Sequence, residues 1–376
     1  MKIVHLGKYY PPDTGGIESV SASLARGTAA QGHDVDVVSF GRTSSSVMDA
    51  GARVLRHWVV TSVASQPLSP GYLIDAIRRG RRADIVHVHV PNMLAAWAAM
   101  RMGRRPAIVV HWHSDVIDKG TLGRLLEPLE RALLDRADAI ICTSPLYAHG
   151  STMLQPHAAK IRVVPIGVAE ADSEDVDEAS VPQSLREWIG TRRLALCIGR
   201  LVPYKGYESL IDAIPRVQAD AAIVVVGGGP LASELQARID HGQLGHRIHL
   251  AGRLDDAALN WLRRRADVFC MPSVERSEAF GVVLIEAMAI GRALLATDIP
   301  DSGVPWVNLH GVSGLNVPPN NPVELAAALD LLLTDDALRM RLAEGARGRY
   351  EEMFTDAASV RGTLEVYAGL RKRNIP

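Results

Sequence analysis

Cysteine is scarce in this 376-residue chain, and the way it is placed excludes a disulfide scaffold. Cys142, Cys197 and Cys270 are odd in number and lack metal-ligand spacing, and each sits in an apolar, strand-like run (DAIICTS, LALCIGR, DVFCMPS). Buried free thiols in a reducing, cytoplasmic compartment are expected. Long apolar runs are missing too: nothing approaches the roughly 20 apolar residues that span a bilayer. The start, MKIVHLGKYYPP, has too short an apolar run, followed by a proline pair, to read as a signal peptide. The chain is expected to be soluble, or at most attached to a membrane surface. A formal net charge of −1 gives no reason to expect a nucleic-acid partner. GxGxxG, GxSxG, HExxH and Walker sequences are absent, which removes the dinucleotide fingerprint and the common hydrolase and P-loop signatures. No Asp-x-Asp pair of the sort that holds a divalent ion on a diphosphate follows a strand. Asp255-Asp256, in GRLDDAAL, reads as a helix cap.

What is present concentrates at residues 277–291, SEAFGVVLIEAMAIG. Glu278 and Glu286 flank a turn at Phe280-Gly281 and a run that is apolar all round. A helix apolar on every side is buried, and a carboxylate inside it needs a partner. Hydroxyl groups of a bound sugar would serve Glu286. The helix is expected to start near Gly281, where free amides and the positive dipole end favour an anion.

Short apolar runs alternate with helical patterns through residues 1–168. Strands are predicted at 2–7, 34–40, 84–90, 107–113, 139–144 and 161–167, and helices at 17–31, 71–80, 92–102 and 121–136. Such alternation implies a mostly parallel sheet with right-handed crossovers. The acidic, small-residue stretch 169–182 reads as part of a linker (169–185). Strands then recur at 194–200, 221–227, 247–252, 267–273 and 293–298, and the chain is helical from Pro322 to about residue 370. Two doubly wound α/β domains in series result, and two such domains facing each other would form a cleft for a ligand.

Several small constellations lie at predicted strand ends. Gly15-Gly16 precedes a helix, as a tight turn or as a close approach to a phosphate or sugar ring. In Gly199-Arg200-Leu201-Val202-Pro203-Tyr204-Lys205-Gly206 two positive charges follow a strand end and suit a diphosphate. Gly227-Gly228-Gly229-Pro230 follows another strand, as a turn or a ligand loop. His111 and His113 end a strand and point to one side. No further close ligand set supports a metal there, and a hydrogen bond from one of them to a sugar hydroxyl is the more economical reading. His87 and His89 read as satisfied core histidines. Charge is uneven: residues 1–168 carry 19 basic and 13 acidic side chains, the remainder 22 and 29. The first half is therefore expected to meet something anionic. Its basic clusters are Arg78, Arg79, Arg81 and Arg82, and Arg101, Arg104 and Arg105. Each is a lipid-headgroup contact or a solvated helix end.

GG after the first strand, a histidine ending a later strand, GR-x4-KG, GGGP and E-x7-E occur in an order that resembles the retaining glycosyltransferases of family 4, over essentially the whole chain. The resemblance implies the GT-B fold: two Rossmann-like domains, 1–168 for the acceptor and 186–354 for a nucleotide sugar, with a final helix (355–376) returning to the first. By that likeness Arg200 and Lys205 would bind the donor diphosphate and Glu286 the ribose hydroxyls. Glu278 would hold the transferred sugar, with Ala279, Phe280, Gly281 and Val282 around its hydroxyls and phosphate. Gly15 and Gly16 would approach the diphosphate, His113 would contact the sugar near its reacting carbon, and Gly199, Gly228 and Arg253 would complete donor binding. No cofactor or metal is implied. Glu278 as a nucleophile is the sharper alternative.

After TDIPDSG the chain reads VPWVNLHGVSGLNVPPNNP, without the GG-x-P-E-type stretch of many relatives. This form looks like bacterial mannosyl- and rhamnosyltransferases of surface polysaccharide and O-antigen assembly. It implies a GDP-linked hexose donor and a lipid-linked saccharide acceptor at the inner face of the cytoplasmic membrane. A UDP-sugar-dependent enzyme or a GT-B epimerase stays open.

Overall fold

The computed structural model describes residues 1–13, 15–63, 66–115, 120–170 and 178–373. It divides into two compact units, Met1–Val168 with Met353–Pro376, and Ala169–Glu352. Of the linker expected at 169–185, residues 171–177 lie outside the described residues, while its end holds the short turn Glu178–Ser180 and the start of the helix Gln183–Ile189.

In the first unit, β1 (Lys2–Leu6), β2 (Asp34–Gly41), β3 (Ser45–Asp49), β4 (Ala52–Trp58), β7 (Ile85–Val90), β8 (Ala107–Trp112), β9 (Ala139–Cys142) and β10 (Ile161–Val163) form one sheet, while β5 (Thr61–Val63) and β6 (Gln66–Leu68) pair separately. The sheet order is β10-β9-β8-β7-β1-β2-β4-β3, parallel except for the β3–β4 hairpin. Strands buried on both faces by helices read as continuous apolar runs, which is why β1, β7, β8 and β9 are visible in the sequence. The hairpin is not among the predicted strands. β3 is mostly exposed and β4 half polar, so neither forms an apolar run. The clue was Ala50-Gly51, both at positive φ (46° and 88°), the two-residue turn that hairpins favour. The predicted strand 161–167 stops at Val163; Val164 is held by its amide on the Cys142 carbonyl (3.0 Å).

The helix Asp356–Arg373 packs in this unit against the helix Gly16–Ala30. Ser23 Oγ donates to Asp356 (2.7 Å), and a side chain at Gly27 would collide with Val360. Tyr367, fully buried, joins the core of Ile3, Val37, Ile85 and Val109.

In the second unit β11 (Arg193–Ile198), β12 (Ala221–Val226), β13 (Ile248–Gly252), β14 (Val268–Met271), β15 (Ala293–Thr297) and β16 (Gly314–Val317) form an all-parallel sheet in the order β13-β12-β11-β14-β15-β16. Its core joins Leu210, Ile223, Val225, Leu295, Leu329 and Leu342. Cys197 and Cys270, on adjacent strands, hydrogen-bond each other, and that contact together with burial pushes the Cys197 thiol well up. All three cysteines are free and buried.

Candidate functional site

The strand order of the second unit reverses between β11 and β14: the chain runs outward through β12 and β13 on one side and β15 and β16 on the other. In open α/β sheets that switch point, at the carboxyl ends of the strands, is where a crevice opens. The segments leaving β11 and β14 are 199–206 and 272–281, which carry half of the site residues singled out from the sequence.

Close backbone packing holds the two segments together. Val274 N–H donates to the Tyr204 carbonyl (2.8 Å). Gly206 sits at φ 66°, and any Cβ there would overlap the Pro272 carbonyl oxygen. Lys205 Nζ is ion-paired with Glu278, and the two side chains are only 10 % and 12 % exposed. Ser273 Oγ donates to the same carboxylate oxygen (3.1 Å). Behind it, Glu278 N–H binds the Glu275 carbonyl (2.9 Å), and Ser302 Oγ donates to the Glu278 carbonyl (2.5 Å). Arg200 is exposed; its Nη2 donates to the Tyr204 hydroxyl (3.2 Å). Arg253, just beyond β13, is exposed and lies beside Gly228. Among the described residues neither Arg200 nor Arg253 pairs with a carboxylate, so both charges are available to an anion.

The helix Val282–Ala289 starts after Gly281 (φ 83°) without a side-chain cap. Its first amides have no partner within the helix. Ala279 and Phe280 are buried beside it, and the Ala279 carbonyl accepts from Gly303 N–H (2.9 Å). The glycine run, open in the sequence between a turn and a ligand loop, has a packing role. Side chains at Gly227 and Gly229 would strike the backbone of Gly199 and Leu201. These glycines let the β12 loop pack on the β11 loop, and only Gly228 faces a side chain, that of Arg253.

Two of the expected donor-binding side chains also have protein partners. Glu286 already has a protein partner: Arg263 Nη2 meets its carboxylate at 2.5 Å. Burial raises the Glu286 pKa and Arg263 pulls it back. Arg263 is one of three consecutive arginines ending the helix Asp256–Arg265, and nothing in the sequence marked it out. His113 is held by neighbouring histidines through one ring nitrogen. It is 6 % exposed, its Nε2 is hydrogen-bonded to His89 Nδ1 (3.0 Å), and its ring stacks on His111 at 4.1 Å. Gly15 and Gly16 begin the first unit's helix Gly16–Ala30. Asp255 caps its helix as expected, accepting from Ala258 N–H (2.8 Å). Ser273 was missed because a lone serine after a strand carries no pattern.

At its switch point, then, the second unit has a buried Lys–Glu pair, two unpaired arginines and an uncapped helix start. Such a set suits a phosphate-bearing ligand carrying hydroxyl groups.

Comparison with known proteins points the same way. The family described as "Glycosyl transferases group 1" matches residues 186–349, and the "Glycosyl transferase 4-like domain" matches residues 15–167. The chain is 31 % identical to the O-antigen chain mannosyltransferase C of Escherichia coli, over 98 % of this chain and 99 % of that one. It is 30 % identical to the D-rhamnosyltransferase WbpZ of Pseudomonas aeruginosa, over 94 % and 92 %. The crystal structure of Anabaena HepE in complex with UDP shares the fold, with a TM-score of 0.75 and 19 % identity over 98 % of this chain and all of that one. The chain therefore belongs to family 4 of the retaining glycosyltransferases and is a hexosyltransferase with the GT-B fold.

Proposed function

We propose that this enzyme moves mannose or a related deoxyhexose from a GDP-linked donor to a lipid-linked saccharide in polysaccharide or O-antigen synthesis. The observation that carries the donor half is the Lys205–Glu278 pair at the switch point. Without donor, Glu278 is the counter-ion of the largely buried Lys205. An arriving diphosphate takes over Lys205, joined by Arg200 and Arg253, and frees the Glu278 carboxylate for a sugar hydroxyl. Glu286, held by Arg263, takes the ribose hydroxyls. When the bond to the anomeric carbon breaks, negative charge grows on the diphosphate, and fixed cations already in place stabilise it. The acceptor hydroxyl then attacks the face just vacated and passes its proton to a phosphate oxygen, so configuration is retained. Glu278 already holds Lys205 and Ser273, which favours this sugar-binding role over that of a nucleophile. No step uses a metal ion.

The sugar rests on the two relatives of about 30 % identity, a mannosyltransferase and a rhamnosyltransferase, and the base on the sequence resemblance alone. A thermal-shift panel of nucleoside diphosphates, followed by transfer assays with the matching sugars, tests them. GDP is expected to stabilise the protein more than UDP or ADP, and Glu286→Ala to weaken all of them alike. Stronger stabilisation by UDP would overturn the GDP assignment. Sugar transformed without any acceptor would point to an epimerase.

The acceptor reading also places the enzyme on an anionic membrane through its first unit. Among the described residues no helix is long and apolar enough to cross a membrane. Arg78, Arg81, Arg82, Arg101, Arg104 and Arg105 are exposed. Arg79 is not part of that surface, because it is bonded to the buried Asp36 at 2.7 Å. Phosphatidylglycerol vesicles are expected to sediment the protein at low salt. Arg82→Glu with Arg104→Glu and Arg105→Glu should abolish this, and unchanged sedimentation would contradict the membrane reading.

A further inference from the structure

Five of the thirteen histidines meet in the core of the first unit. β1, β7 and β8 are neighbours, in registers that set His5 beside His87 and His89 beside His111. Alternation along the strands puts all four on one face, with His113 one step beyond β8. All are at most 6 % exposed. Positions like these in a parallel sheet are otherwise filled by Val, Ile and Leu, so packing alone does not call for five imidazoles.

Their hydrogen bonds form two chains. His113 Nε2 meets His89 Nδ1 (3.0 Å), and His89 Nε2 meets His5 Nδ1 (3.1 Å). Tyr367 OH meets His87 Nδ1 (2.5 Å), and His87 Nε2 meets His111 Nδ1 (3.1 Å). Both chains end blind: His5 Nε2 and His111 Nε2 are buried and have no partner. An orphaned buried polar atom is destabilising, and a sheet core that keeps one calls for an explanation.

We propose that His89, His111 and His113 form a binding site for a borderline transition-metal ion of the zinc class. One ring nitrogen of each lies within 4.8 Å of those of the other two. The hydrogen-bond pattern assigns the ligand atoms. His111 has only Nε2 to offer, since Nδ1 is taken by His87. His89 and His113 present Nδ1 and Nε2 to each other at 3.0 Å, near the spacing of about 3.3 Å that two nitrogens adopt on a tetrahedral ion with bonds of about 2.0–2.1 Å. His89 Nε2 and His111 Nδ1 point away and are bonded to His5 and His87. This is the outer-shell arrangement that fixes the tautomer and orientation of metal-bound histidines. Tyr367, from the C-terminal helix, secures His87 in turn. Three imidazoles leave a fourth position open. The ion would tie β7 to the end of β8. The orphan at His5 Nε2 is not relieved by this site.

The test uses the full chain, stripped with a chelator and desalted. Zinc titrated by calorimetry is expected to bind one equivalent, and cobalt to give the visible absorption of a four-coordinate ion. His111→Gln is expected to lower zinc affinity at least about tenfold, and the outer-shell variant His87→Gln about 10–100-fold. His241→Ala, at an exposed histidine of the other unit, should change nothing. If the core variants do not fold, imidazole nitrogen NMR of the wild type decides, with zinc shifting three buried histidines. No zinc bound by the wild type, affinity unchanged in a folded His111→Gln, or shifts confined to exposed histidines would each overturn the proposal.

Discussion

Lys205→Ala is expected to lose activity and stability together, for separate reasons. Removing a cation placed against developing negative charge lowers turnover about 10²–10³-fold. The same change leaves the Glu278 carboxylate, 12 % exposed, without its counter-ion. Breaking a buried pair from one side costs about 3–5 kcal/mol, so urea should unfold the second unit earlier. Lys205→Met combined with Glu278→Gln removes both charges and leaves Ser273 able to donate to the amide oxygen. That double variant is expected to regain most of the stability and none of the activity. If it regains activity, the diphosphate role of Lys205 is wrong.

The second large effect is expected at Gly206, which touches no ligand in this account. Its φ of 66° is a conformation that L side chains rarely adopt. An added Cβ would also overlap the Pro272 carbonyl and come within 2.7 Å of Val274. Gly206→Ala therefore strains its own backbone and pushes away the segment that carries Ser273 and Glu278. A loss of roughly 2–4 kcal/mol in urea unfolding is expected, with transfer reduced in the fraction that stays folded. Gly245→Ala, where an added Cβ meets nothing within 4 Å, is the control and should be neutral. Equal behaviour of the two variants would show that the two strand-end segments are not held as described.

These two cases also show what could be read from the sequence. A fully buried parallel strand announces itself as an apolar run, so β11, β12, β14 and β15 and the turns after them were legible. Lys205 and Glu278 were visible because each follows such a run. Their mutual contact was not, since it depends on β11 and β14 being neighbours, 73 residues apart in the chain. Arg263 was hidden for the same reason: its partner, Glu286, lies 23 residues away on another helix. The histidines were seen in pairs, one pair per strand. Only the β1–β7–β8 register gathers them with His5, so the absence of a further ligand set near His111 and His113, expected from the sequence, does not hold. The β3–β4 hairpin escaped because half-exposed strands lack apolar runs, although its turn residues were in view.

The central claim is that Lys205 holds the donor diphosphate and that Glu278 is its stand-in when the donor is away. Calorimetric titration of GDP into Glu278→Gln, with and without Lys205→Met, tests it most directly. Glu278→Gln is expected to bind GDP at least as tightly as the wild type, because the competitor for Lys205 is gone. Adding Lys205→Met is expected to weaken binding by roughly 100-fold, about 2.7 kcal/mol. Equal GDP affinity with and without Lys205 would contradict the account.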